Sequence, residues 1–93
     1  MDKVEAKGLL EAAVAELRAK SRVELERLIG SPDAFEVQGK SGKTYQMEKQ
    51  AFWDDKKGQD LRILVSIDDG GWRAFFPTTE SFIMAPNGSF VGE

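Results

Sequence analysis

The sequence predicts an α+β fold: an N-terminal helix packed on one face of a four- to five-stranded antiparallel β-meander. Three observations carry this. Apolar residues recur every three or four positions up to Ile29, they alternate with polar ones after Pro32, and the alternating runs are joined by short segments rich in Gly, Asp and Lys. A chain of 93 residues accommodates one core, so the expectation is a single domain over 1–93, helical over 1–30 and sheet over 34–92.

Over residues 2–29, Ala6, Leu10, Ala13, Val14, Leu17, Ser21, Leu25 and Leu28 fall on one helical stripe, in a segment dominated by strong helix formers. Gly30 stands where a C-terminal cap is expected, and Pro32 follows it. Ser21-Arg22-Val23-Glu24 has the S-x-x-E form of a capping box, in which serine and glutamate each satisfy a backbone donor at a helix start. The segment therefore reads either as one long helix or as two, about 3–19 and 22–29, with the stripe continuing across the joint.

In the sheet portion, Phe35 and Val37 alternate with Glu36 and Gln38, and Tyr45 and Met47 alternate with Thr44, Gln46 and Glu48. If residues 40–42 form a three-residue loop with Gly42 at positive φ, Val37 faces Tyr45 and Phe35 faces Met47. A polar connection over 55–59 leads to the clearest strand, 60–68, with Leu61, Ile63, Val65 and Ile67 on one face and Arg62, Leu64 and Ser66 on the other.

Asp69-Gly70 then reads as a two-residue hairpin turn. It would set Ile67 opposite Trp72, Val65 opposite Ala74 and Ile63 opposite Phe76. On the reverse face it would set Leu64 opposite Phe75 and Ser66 opposite Arg73. Pro77, which lacks a ladder donor, should end that fourth strand, with 78–81 as a connection. A last short hairpin is expected around Pro86-Asn87-Gly88, its arms at 82–85 and 89–91.

Composition narrows the chemistry. Neither cysteine nor histidine is present, which removes thiolate ligands, disulfides, imidazole bases and every Ser-His or Cys-His arrangement. No cofactor motif and no nucleophile elbow occurs, so the expectation is a protein that is not an enzyme. The formal charge is −3, with six basic and six acidic groups in 1–30 and seven basic against ten acidic in 31–93. Such a balance gives no long-range attraction to phosphate backbones. No apolar run is long enough to span a membrane and the first residues lack an apolar signal core, so the default expectation is a cytoplasmic, membrane-free protein.

Two acidic clusters, Asp54-Asp55 with Asp60 and Asp68-Asp69, invite a metal reading. Lys56 and Lys57 fall where ligands would belong in the first, and the second precedes Gly70 as ordinary turn chemistry. More informative is the reverse face of the predicted sheet, where Arg62, Leu64, Ser66, Arg73 and Phe75 would stand together, joined by Phe52 or Trp53 from the second strand. Arginine beside aromatic and aliphatic residues is the composition of a protein-binding hot spot. The competing reading is that the terminal hairpin, the first helix or a second copy of the chain covers the patch, because small domains rarely leave such patches bare. The functional expectation is a small interaction or regulatory domain that binds a protein partner or self-associates through the reverse face or an edge strand. A single-stranded nucleic-acid binder that stacks bases on the same residues is the alternative, opposed by the charge.

Overall fold

A computed structural model of the chain describes residues 3–70 and 78–92. Two helices, α1 (Lys3–Arg18) and α2 (Arg22–Glu26), precede four strands: β1 (Asp33–Gln38), β2 (Thr44–Trp53), β3 (Leu61–Asp68) and β4 (Thr78–Met84). The strands form one antiparallel sheet in the order β1-β2-β3-β4. The fold is α+β.

The helical segment breaks at Ser21. This residue takes an extended conformation, and its hydroxyl accepts from the Glu24 N–H at 3.2 Å. Serving as the N-cap turns Ser21 out to solvent, so it leaves the buried stripe that spacing alone had assigned it. Ala6, Leu10, Ala13, Leu17 and Leu25 are buried, and Val14 and Leu28 half-buried beside them. Gly30 is not the cap of α2, which is Arg27. Gly30 instead takes a φ of 72° just after Ile29, which bridges to Ala51 of β2.

The first hairpin has the register its loop length predicts, Val37 opposite Tyr45 and Phe35 opposite Met47, with Gly42 at φ 90°. β3 alternates fully buried Leu61, Ile63, Val65 and Ile67 with half-buried Arg62, Leu64, Ser66 and Asp68. Burying each of those four apolar side chains is worth about 1.5–3 kcal/mol. They share one core with Tyr45, Met47, Ala51, Phe82, Met84 and the apolar stripe of the helices.

The fourth strand differs from the one expected. Ile67 lies opposite Thr78, Val65 opposite Glu80, Ile63 opposite Phe82 and Leu61 opposite Met84, so Asp69-Gly70 is not a two-residue hairpin turn. The strand expected over 72–76 falls within residues 71–77, outside those described, and the segment 78–81 expected as a connection is strand. The two-residue register would have brought Pro77 opposite Arg62, whereas the observed one pairs the proline-free run Thr78–Met84 along β3 down to Leu61 and buries Phe82 and Met84. The cost is a half-buried Glu80 on the inner face of an edge strand, where a charged side chain also hinders strand addition.

Among the described residues the sheet has four strands, and no fifth forms after Gly88. The Pro86–Gly88 turn closes as expected, with Gly88 at φ 87° and the Ala85 N–H donating to Ser89 O at 2.8 Å. Only a single bridge, Met84 to Phe90, with the Val91 N–H donating to Ile83 O at 2.9 Å, follows it. The Phe90 ring meets Phe82 edge-on at 5.6 Å, and the Arg18 guanidinium lies 4.1 Å from the Phe90 ring centroid. These contacts lay the chain's last described residues on the edge of β4.

Candidate functional site

Because opposed residues in a ladder share a face, the register assigns the side chains of the sheet to two sides. On the reverse side, Phe52, Arg62 and Ile83 form one row, Gln50, Leu64 and Ser81 the next, and Glu48, Ser66 and Thr79 a third. Arg62, Leu64 and Ser66 therefore share the face expected of them. Arg73 and Phe75, the other two members of the expected patch, lie outside the described residues.

The register also decides between the two aromatic candidates of β2. Phe52 lies opposite Arg62 and is 40% exposed, whereas Trp53 lies opposite Leu61 on the inner side, with the Arg22 guanidinium 5.6 Å from its ring. Sequence reasoning missed Ile83, because the register of β4 decides its side. Once β4 is known to run over Thr78–Met84, alternation from Phe82 and Met84 places Ile83 on the reverse side.

Arg62 is not a free cation. Its Nε donates to Asp54 Oδ1 at 2.8 Å, and its Nη2 stands 2.7 Å from the same oxygen. Asp54 thereby serves as the counter-ion of the face, and the Asp54 N–H closes the β2–β3 connection on Asp60 O at 3.0 Å. In the second acidic cluster, Asp68 Oδ1 accepts from the Gly70 N–H at 2.7 Å, the side-chain-to-backbone bond of an Asx turn. Both acids thus have structural partners, Asp54 on the neighbouring strand and Asp68 within its own turn.

Two polar anchors hold the helices against the sheet. The Glu5 carboxylate, in the first turn of α1, accepts from the Ser41 hydroxyl at 2.7 Å, the Ser41 N–H at 2.9 Å and the Tyr45 hydroxyl at 2.8 Å. The Ser41 hydroxyl, the Ser41 N–H and the Tyr45 hydroxyl, with Lys43 adding a weaker attraction, hold its pKa below the ordinary carboxylate value against a small opposing effect of burial. At the other end, Arg22 of α2 donates to Met84 O at 3.2 Å, to Gly58 O at 3.4 Å and to Gln59 O, and pairs with Glu26.

The described residues define a small α+β domain in which one sheet face is committed to the core and the opposite face carries aromatic, aliphatic and arginine side chains in register. Beyond that class, comparison with known proteins finds no match: no family model, no curated protein and no solved structure matches the chain.

Proposed function

We propose that this chain is a non-enzymatic protein-interaction domain and that its reverse face, centred on Phe52, Arg62, Leu64 and Ile83, meets a protein partner. The observation that carries the reading is the row of Phe52, Arg62 and Ile83 across three strands, with Leu64 in the adjoining row and Phe52 left 40% exposed. An arginine held in place by Asp54 beside an aromatic ring loses little rotamer freedom on docking, and arginine and aromatic residues dominate interface hot spots. The absence of cysteine and histidine from the sequence favours binding over catalysis.

The electrostatics favour a protein over a nucleic acid. Glu48, Asp68 and the Asp54 partner of Arg62 surround the patch, and an acidic rim repels phosphate. A photo-crosslinking residue at position 66 or 81 of the full chain, in cells, should capture the same protein from both sites and none from position 7. Phe52→Asp should abolish the capture with the melting temperature within a few degrees of wild type. Unfolding by Phe52→Asp would assign the patch to the chain's own core. Salt-dependent binding of a single-stranded oligonucleotide, lost on Arg62→Glu, would give the face to nucleic acid instead.

A further inference from the structure

α1 crosses the sheet obliquely. Its first turn is anchored by Glu5 to Ser41 and Tyr45 at the β1–β2 hairpin, its body rests on β3 and β4, and Arg18 at its end lies over Phe82 and Phe90. This course leaves the inner side of β1 uncovered by the helix. A groove of about 340 Å³ opens there, walled by Leu9, Ala12 and Glu16 of α1 and floored by Phe35, Val37 and Met47. It adjoins a second hollow of about 320 Å³, which shares Glu16 and Lys49 and is closed by Leu25 and Leu28.

The groove opens toward an edge strand, since β1 pairs only with β2 among the described residues. The Gly39 N–H donates to Lys43 O at 2.8 Å, which makes 39 and 43 a hydrogen-bonded pair and, by alternation, directs the N–H and C=O groups of Asp33, Phe35 and Val37 toward β2. Those of Ala34, Glu36 and Gln38 therefore point outward. The opposite edge is different, because the Met84 to Phe90 bridge and the Val91 to Ile83 hydrogen bond lie against β4.

We propose that the β1 edge and the groove inside it bind an extended peptide segment with apolar residues at alternate positions and lysine or arginine between them. The main chain of such a segment pairs with Ala34, Glu36 and Gln38, while every second side chain enters the groove beside Phe35 and Val37. Its intervening side chains fall on the reverse side, beside Glu36. Charge complementarity selects basic residues there, because Glu36 of β1 and Glu48, opposite Ala34 on β2, stand on that side, and the one cation of these two strands, Lys49, lies opposite Asp33 on the inner side. The same acids disfavour a second copy of the chain, since an antiparallel β1–β1 pair centred on Glu36 sets two carboxylates face to face and one centred on Phe35 leaves them diagonal neighbours. This site is separate from the patch around Phe52 and Leu64, so either proposal can fail alone.

The test uses the full chain and two blocked heptapeptides, Lys-Val-Lys-Ile-Lys-Val-Lys and its counterpart with glutamate at every lysine. Amide NMR titration should show saturable shifts at Ala34, Glu36 and Gln38 with the basic peptide, and at least tenfold weaker binding of the acidic one. Glu36→Pro removes an outward N–H without taking a donor from the β1–β2 ladder, and should weaken the basic peptide at least tenfold at near-unchanged melting temperature. Should that variant unfold, Glu36→Lys supplies the same decision by shifting preference toward the acidic peptide. The proposal is overturned by no saturable binding, by equal binding of the two peptides, by shifts confined to the Phe52 and Leu64 face, by Glu36→Lys leaving the preference unchanged, or by a β1-paired dimer in sedimentation.

Discussion

Glu5→Gln keeps the shape of the side chain that joins α1 to the first hairpin but removes the charge that the Ser41 and Tyr45 donors stabilise. The folded-state pKa of Glu5 is depressed, so its contribution to stability is fully present above the unfolded-state value and is lost as pH falls through the lower folded-state value. Denaturant midpoints should therefore be lower for Glu5→Gln than for wild type at neutral pH, and the gap should close in acid below the ordinary carboxylate range. An unchanged gap at every pH would show that the carboxylate's charge is irrelevant. Gly39→Ala should act in the same direction, because a Cβ at that position meets the Glu5 carboxyl group and forces it off its donors. No sequence signal marks this anchor. Glu5 and Ser41 read as a solvated helix charge and a loop residue, and only the placement of the helix start over the hairpin joins them.

Among the elements, α2 is the shorter helix and the one that leans most on its cap and its tertiary contacts. Five residues are too few to hold a helix by propensity alone, so the Ser21 cap, the buried Leu25 and the Arg22 contacts to the β2–β3 connection and to Met84 must supply the rest. Ser21→Ala should cost about 0.5–2 kcal/mol, measured by urea unfolding, with Ser21→Asp restoring most of it. Equal stability of Ser21→Ala and wild type would remove the cap from the account. The S-x-x-E pattern made this break legible, and the loop length made the first hairpin's register legible. The β3–β4 pairing was not, because an Asp-Gly pair between apolar runs is a strong local turn signal and nothing local reports the competing strand beyond Pro77. The expected patch divides along the same line. Arg62, Leu64 and Ser66 sit on a strand whose alternation fixes their side, whereas the placement of Arg73 and Phe75 rested on the turn register, and both lie outside the described residues.

At the scale of the whole molecule, helices and sheet draw on one core. Leu10, fully buried between them, should cost about 2–5 kcal/mol when truncated to alanine. Since domains of this size are held by only about 5–15 kcal/mol, the helical and sheet signals of Leu10→Ala should melt together at a lowered midpoint, with far-UV circular dichroism and tryptophan fluorescence coinciding. Separate transitions would show that the sheet stands without the helix. The α+β class and the sequential strand order follow from periodicity and short connections, so they were readable from residues alone. The oblique course of α1 was not, since an apolar stripe says which side of a helix is buried and leaves open which strands it lies across. That course also sets an order of events on the ribosome. The stripe of Leu10 and Leu17 leaves the exit tunnel long before β3 and β4, the strands on which α1 rests, so the nascent chain carries an uncovered apolar helix until both strands have emerged.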